Sequence, residues 1–344
     1  MSKFSADAIL YVSPEGGVFM KKYNDKKKNL VRRISIIFLL LSMVIGPLSA
    51  IKSNVYAEGL NNINLLDNSM YSKLRELYDY FSSLEDEIIY LRQENNRLEK
   101  NVAQPAAEKV PVLMYHHIYD GDLSKSKFNG NGAVISLDTF KEHMKYLKDN
   151  DFYTATLEEL ENFMNGDIVL PEKTVVLTFD DGYYSNIEYA YPILKNYNFR
   201  AAIFSIATNI SSNPDKYSAE TGKLKGLSFN NLRETRDVFT FESHTYDLHV
   251  MMGDKSALEV LSKKEILNDI SLVAERLDTK YVAYPYGNYN ETSTEAFKEA
   301  GYKLGFTTKN GYCDLSTKPF EVPRFGIFPW NNMDYFVKIV NRQL

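Results

Sequence analysis

The sequence has little of several residue types. Its 344 residues include one cysteine, Cys313, one tryptophan and five histidines. A single cysteine excludes any intrachain disulfide, so an exported domain of this chain would depend on a core that needs no covalent cross-links. Positive charge is not in excess either. The net charge of −5 gives no indication of nucleic-acid binding.

The remaining composition is that of an ordinary globular protein. Hydrophobic residues make up 44% of the chain and charged residues 25%. A chain of this length can bury a large core, and we expect one or two domains.

One hydrophobic run, residues 34–51, is free of charge and follows a segment rich in lysine and arginine. At 1.5 Å per residue it spans about 27 Å as a helix, which is enough for a bilayer core. The basic flank places residues 1–33 in the cytoplasm. We interpret residues 34–51 as the transmembrane anchor of a single-pass cell-membrane protein. A cleaved signal peptide ending near residues 55–57 is the alternative, and the protein would then be secreted. Either way, the rest of the chain is expected to be extracellular.

Residues 60–100 are predicted to form a short coiled-coil stalk. Within them the seam positions alternate spacings of three and four residues: Leu74, Leu77, Phe81, Leu84, Ile88, Leu91, Asn95 and Leu98. A polar residue such as Asn95 in the seam is typical of a two-stranded coil, so a homodimer is expected. A single amphipathic helix that packs on the following domain is the alternative. Residues 101–109, which contain Pro105, are predicted to be a linker.

From residue 110 to residue 344, apolar strands alternate with helices, including one long amphipathic helix predicted at 256–277 and a strand predicted at 153–157. This alternation predicts an α/β fold with a parallel sheet and right-handed crossovers. Seven or eight such units in about 235 residues favour a barrel over an open sheet. The candidate chemistry follows the strands, which is where such barrels place it.

Two adjacent carboxylates, Asp180 and Asp181, end the apolar strand that begins at Thr174 and precede Gly182. Two carboxylates this close repel each other, and burying either is unfavourable without a cation or a proton. The pair therefore favours a site in which one carboxylate binds a metal and the other acts as a base. An ordinary Asp-Asp-Gly turn is the alternative.

Two of the five histidines, His244 and His249, follow a strand about sixty residues further on. On a helix, side chains five residues apart diverge by about 140°, so a helical metal pair is not expected. In a loop both imidazoles can converge on one ion. One carboxylate and two imidazoles with open positions form a catalytic metal set, of the type that binds zinc or another divalent ion.

The segments Thr178–Gly182 and Ser243–His249 together resemble the polysaccharide deacetylases of the NodB-homology type, carbohydrate esterase family 4. The resemblance covers roughly residues 110–344. The four-residue gap between the histidines is similar to the circularly permuted branch that includes the poly-β-1,6-N-acetylglucosamine deacetylases. The resemblance to the family implies a distorted (β/α)7-type barrel.

The resemblance also implies residue roles. Asp180 would be the general base, and Asp181, His244 and His249 would bind a divalent metal, zinc in the first place, with cobalt, nickel or iron as alternatives. The metal would polarise the acetamide carbonyl and activate water, whose proton the unligated carboxylate takes. The segment Tyr284–Gly287 resembles the third motif of the family, in which the backbone N–H of Tyr286 would stabilise the oxyanion. From the residues alone, an ordinary turn is the alternative there.

Three departures from the family pattern matter. Ala283 stands where the family has an arginine that holds the base, and Arg324 is our candidate substitute, a surface arginine being the alternative. No histidine follows His249, so the general acid is expected to be His116, which the permuted branch supplies from the first strand. His117 is expected to point the other way and to be structural. For the fourth motif, Asp314 and Trp330 are only loose candidates and are left out of the predicted site.

The sequence thus predicts a membrane-anchored, metal-dependent N-deacetylase that removes acetyl groups from N-acetylglucosamine residues of a cell-envelope glycan. The substrate would be poly-N-acetylglucosamine or peptidoglycan. The alternatives are a non-catalytic envelope glycan-binding protein and an O-acetyl polysaccharide esterase.

Overall fold

The computed structural model describes residues 8–12, 18–22, 104–211 and 224–344. The chain divides into two compact units, residues 1–85 and 86–344. The first unit contributes an antiparallel hairpin of β1 (Ala8–Val12) and β2 (Val18–Lys22), which we did not expect from the sequence.

Several predicted segments lie outside the described residues, namely the anchor at 34–51, the stalk at 60–100 and the first three residues of the linker. None of the helices in the described ranges is both long enough and apolar enough to cross a bilayer.

Strands and helices alternate through the described part of the second unit. The strands are β3 (Val110–Tyr115), β4 (His117–Tyr119), β5 (Val134–Ser136), β6 (Tyr153–Thr154), β7 (Thr174–Phe179), β8 (Ala201–Ser205), β9 (Phe239–Ser243), β10 (Met251–Met252), β11 (Lys255–Ser256), β12 (Tyr281–Ala283), β13 (Leu304–Phe306), β14 (Tyr312–Cys313) and β15 (Phe325–Gly326). The α-helices are α1 (Leu137–Asp149), α2 (Leu157–Met164), α3 (Tyr191–Tyr197), α4 (Phe229–Glu234), α5 (Ala257–Val260), α6 (Lys263–Val273), α7 (Glu291–Glu299) and α8 (Met333–Val340).

The main sheet confirms the predicted α/β fold of parallel strands. Seven of its strands follow the order β13, β12, β9, β8, β7, β3 and β15, and each neighbouring pair among them is parallel. β6 adds a parallel pairing with β7, and the short β14 pairs with β3 in the antiparallel direction. A single parallel bridge joins Phe306 of β13 to Val322, just before β15. The sheet therefore curves into an incomplete barrel. All residues of β3 and β7 are buried, as expected for parallel strands covered on both faces.

Two predicted elements are shorter than the sequence indicated. The helix predicted at 256–277 is wrong as one piece: α5 ends at Val260, Leu261 is extended, and α6 begins after Ser262 and ends at Val273. Ser262 forms a capping box with Glu265, and such a box starts a new helix. The strand predicted at 153–157 ends at Thr154, because Thr156 caps α2.

The second half of the predicted linker packs against the barrel. Ala107 is buried and donates its backbone N–H to Leu170. The carbonyl of Pro105 accepts the N–H of Glu172. Residues 104–109 are thus ordered before β3 begins.

The carboxyl ends of the parallel strands carry unusual backbone geometry. Asp181 after β7, Thr245 after β9 and Tyr286 after β12 all have left-handed φ angles, of 73°, 68° and 60°. Such angles are uncommon for residues with a side chain and concentrate at functional sites. They indicate that the functional site lies at this end of the barrel.

Candidate active site

Asp180 and Asp181 have different partners although they are adjacent. Both oxygens of buried Asp180 accept hydrogen bonds from the guanidinium of Arg324, each at 2.7 Å. Asp181 places its Oδ1 3.4 Å from Nε2 of His244 and 3.4 Å from Nε2 of His249. The left-handed φ of Asp181 ends the strand alternation. The two carboxylates therefore serve two neighbouring sites.

Asp181, His244 and His249 form a group that fits a metal ion. One ligand atom from each residue lies within 4.8 Å of the other two. Oδ1 of Asp181 is buried and has no hydrogen-bond partner, so its lone pairs are free to bind a cation. A tetrahedral ion with bonds of about 2.1 Å would space its ligands about 3.4 Å apart, which is the distance from Oδ1 of Asp181 to each imidazole nitrogen.

The orientation of His244 supports the same assignment. Its Nδ1 lies 2.8 Å from the carbonyl of Ala283. A carbonyl can only accept, so Nδ1 carries the proton and Nε2 presents its lone pair to Asp181. A backbone carbonyl behind a histidine is the usual support of a metal ligand. Ala283, which replaces the expected arginine, thus contributes through its main chain.

The loop from His244 to His249 is held by Asp269 of α6, which we did not identify from the sequence. Its two carboxylate oxygens accept the backbone N–H groups of Tyr246 and Asp247, at 2.8 and 2.9 Å. The sequence did indicate a structural role for this residue, because Asp269 interrupts the buried apolar face of α6 that includes Ile266 and Ile270. An acidic residue on an apolar face requires a partner in the interior.

The electrostatics of the cluster favour a cation. Burial opposes the charged form of His244, but Asp181 and Asp180 together raise its pKa above the ordinary value. Burial and the neighbouring His244 lower the pKa of His249, which favours the neutral imidazole that binds metals. Burial would raise the pKa of Asp181, but the neighbouring His244 keeps that pKa below its usual range. Asp181 is therefore held ionised, as a carboxylate that binds a metal must be.

Arg324 is completely buried, which excludes the surface alternative. Besides Asp180 it contacts the carbonyl of Thr307 through Nε at 2.9 Å and the hydroxyl of Thr178 at 3.3 Å. Burial would raise the pKa of Asp180, but the charge of Arg324 lowers it below the ordinary value. Asp180 is thus held ionised and fixed in orientation.

His116 follows β3 directly and His117 is the first residue of β4, and the two differ in their surroundings. His116 is one of the neighbouring groups that lower the pKa values of Asp180 and Asp181, so it lies near both carboxylates. The backbone carbonyl of His116 accepts a hydrogen bond from buried Asn186 at 2.8 Å. His117 instead bonds through Nδ1 to Ser185 at 2.8 Å. Burial, followed by the charge of Lys127, lowers its pKa to about 4. Asn186 was not identified from the sequence, because it lies in a polar run without a pattern.

Tyr286 stands beside the metal-ligand cluster. Its ring packs on that of His249 with centroids 4.4 Å apart, and its hydroxyl donates to the carbonyl of His249 at 3.3 Å. A Cβ on the next residue, Gly287, would lie 2.0 Å from the hydroxyl of Thr308. The turn that carries Tyr286 is therefore fixed in place. Asp314 is used in a separate turn, where it accepts the N–H of Ser316 at 2.8 Å.

Sequence comparisons relate this chain to known deacetylases. A family model described as polysaccharide deacetylase matches residues 167–305. The chain is 30% identical over 251 residues to the poly-β-1,6-N-acetyl-D-glucosamine N-deacetylase of Staphylococcus epidermidis, covering 67% of this chain and 82% of the relative. It is 29% identical over 230 residues to the protein of the same name from Staphylococcus aureus, covering 62% and 77%.

Solved structures share the fold. The deacetylase PplD of Streptococcus pyogenes, in complex with acetate, matches with a TM-score of 0.57 and 26% identity, over 67% of this chain and 98% of that one. IcaB from Ammonifex degensii matches with a TM-score of 0.57 and 26% identity, over 70% and 99%. The chain therefore belongs to the polysaccharide deacetylase family, whose members hydrolyse the N-acetyl amide bonds of polysaccharides.

Proposed function

We propose that this protein is a metal-dependent N-deacetylase of a poly-N-acetylglucosamine glycan. The observation that carries the proposal is the pairing of two sites at one barrel end. One is the buried cluster of Asp181, His244 and His249, and the other is Asp180 held by Arg324. The names of the staphylococcal relatives favour poly-β-1,6-N-acetylglucosamine over peptidoglycan as the substrate.

We assign Asp181, His244 and His249 as the ligands of a divalent cation, with zinc as the first choice for two imidazoles and one carboxylate. When bound, such a cation supplies Lewis acidity, which polarises a carbonyl and lowers the pKa of water.

Asp180 acts as the general base. Each of its oxygens bonds to Arg324 and retains a second lone pair, so the carboxylate can still accept a proton from the attacking water. The backbone N–H of Tyr286 donates to the oxyanion that develops on the acetamide oxygen. His116 then protonates the amine as the carbon–nitrogen bond breaks, and the products are acetate and a glucosamine residue.

We also propose that residues 34–51 anchor the protein in the cell membrane and that residues 60–100 form a dimeric stalk. Support comes from the charge-free run behind a basic flank and from the heptad pattern with Asn95 in the seam. Membrane fractionation of the full chain, together with its mass in detergent with and without residues 60–100, tests both. Recovery of the full chain in the soluble fraction would contradict the membrane anchor. A full chain that is already monomeric in detergent would contradict the dimeric stalk.

The decisive assay is acetate release by purified protein from β-1,6-linked N-acetylglucosamine oligomers, with peptidoglycan and an O-acetylated xylan in parallel. We expect release from the first substrate, loss of release after chelation, and recovery when zinc is restored. Release from xylan alone indicates the esterase alternative. Glycan binding by metal-loaded protein without any acetate release favours the non-catalytic alternative.

A further inference from the structure

The tryptophan of this chain, Trp330, is exposed at 65% of its surface although it is the largest apolar side chain available. One face of its indole stacks on Phe328, with ring centroids 5.1 Å apart and an interplanar angle of 15°. An isolated exposed apolar residue needs no explanation, but a stacked pair with an open face is a flat surface that can bind a ligand.

The turn that carries Trp330 is fixed by hydrogen bonds. The side chain of Asn331 accepts the N–H of Phe328 at 2.8 Å, and the backbone N–H of Asn331 donates to the carbonyl of Phe328 at 3.0 Å. The next residue, Asn332, caps α8. Because the turn is closed on both sides, the indole is presented by a rigid segment, and little conformational entropy is lost when it binds a ligand.

Two glycines make room for the aromatic pair. A Cβ on Gly132 would lie 2.8 Å from the tip of the Trp330 ring, and a Cβ on Gly326 would lie 2.5 Å from the ring of Phe328. Larger residues at either position would push the rings out of place. The stacked arrangement therefore depends on space that the surrounding chain leaves open.

The pair lies at the same end of the barrel as the active site. In the parallel pairing of β15 with β3, Gly326 is opposite Met114, and the N–H of Ile327 donates to the carbonyl of Met114. Phe328 and His116 therefore occupy equivalent positions beyond the ends of two neighbouring strands, and such strands lie about 4.8 Å apart. Gly132, which lies against the tip of the indole, precedes Ala133, whose carbonyl accepts the N–H of His117.

We propose that the open face of Trp330 binds a sugar ring of the glycan chain, at a subsite beside the residue that is being deacetylated. A pyranose ring has faces of C–H groups that pack on a flat aromatic surface, while its hydroxyls stay in water. The occupant is the same polymer whose acetyl groups the neighbouring site removes, so this inference rests on the proposed function. It assigns Trp330 a part in chain recognition and none in the chemistry.

The test compares two substrates of different length with the variants Trp330→Ala and Trp330→Phe. One substrate is a β-1,6-linked N-acetylglucosamine pentamer, and the other is 4-nitrophenyl acetate, which is too small to reach a neighbouring subsite. We expect Trp330→Ala to lower kcat/KM for the pentamer by about tenfold, mainly through KM, and to leave hydrolysis of the ester unchanged. Trp330→Phe, which keeps a flat ring, should recover most of the loss.

The matched control is Leu315→Ala, which removes a side chain that is 62% exposed and lies against Gly166, before β7, at the opposite strand ends. It should leave both substrates unaffected. Equal losses on pentamer and ester, or no loss on either, overturn the subsite while the wild-type activity stands. A wild-type protein that releases no acetate from the pentamer overturns the proposed function instead.

Discussion

The guanidinium of Arg324 binds both oxygens of Asp180 at 2.7 Å, and both side chains are buried. Their positions in the sequence are 144 residues apart. They meet because β7, which ends just before Asp180, and β15, which begins just after Arg324, both pair with β3. We propose that this arginine substitutes for the one that the family pattern places at Ala283. The ion pair keeps Asp180 charged and fixes its direction, as the proposed general base requires.

We predict that Arg324→Met destabilises the protein and removes most of its activity. The variant leaves a buried carboxylate without a cation, which costs roughly 3–5 kcal/mol of unfolding free energy. Urea denaturation measures the loss. Adding Asp180→Asn to this variant should restore much of the stability without restoring acetate release. An Arg324→Met protein as stable and as active as wild type would show that the ion pair has no such role.

Substitutions of Asp180 and Asp181 should have different effects on metal binding. Asp181→Asn removes a negative ligand and should weaken metal binding by at least about 100-fold, with loss of activity. Asp180→Asn should retain the metal and lose turnover, because its partner is Arg324. Elemental analysis and acetate release, run on the same preparations, distinguish the two. If both variants retain turnover, the assigned roles are wrong.

The sequence was sufficient for features that depend on local pattern. Runs of β-branched and apolar residues predicted the parallel strands, and the strand ends predicted where Asp181, His244 and His249 would meet. The break at Ser262 could also have been found, because its capping box is visible in the sequence. Amphipathic spacing alone did not show it, because the buried residues Leu258, Ile266 and Ile270 are spaced as they would be on one continuous helix.

Features that depend on distant pairing were harder to predict. Nothing near Arg324 in the sequence distinguishes a buried arginine from a surface one, since its partner is set by barrel closure. Asn186 is another case, because its bond to the backbone of His116 crosses 70 residues. The hydrogen bonds of Asp269 follow from where α6 packs, which the helix pattern does not specify.

Asn186 should position His116, and its loss should affect the pH profile more than the fold. Its Nδ2 donates to the carbonyl of His116, while its Oδ1 is buried without a partner in the structure. Asn186→Leu is expected to lower kcat several-fold, as a displaced general acid would, with little change in metal content. Asn186→Asp lacks the donor and should behave similarly. Unchanged kcat and pH dependence in both variants would contradict a positioning role.

His143 should make the fold sensitive to mild acid. It is buried on α1, stacks on Phe336 at 3.9 Å and lies 3.2 Å from the hydroxyl of Tyr115. Burial lowers its pKa to about 4, below the 6.5 of an unfolded histidine. Between these values the unfolded chain binds the proton and the folded chain does not. Stability is therefore complete above pH 6.5 and falls as the pH decreases towards 4.

At pH 5 this single histidine should remove about 2 kcal/mol of the unfolding free energy that is present at pH 7. His143→Gln has no charge to gain, so its stability should fall less between pH 7 and pH 5, by about that amount. His117 titrates in the same range but is present in both proteins, so the difference between the two urea denaturation series isolates His143. Parallel pH profiles for wild type and variant would mean that His143 is protonated equally well in the folded and unfolded states.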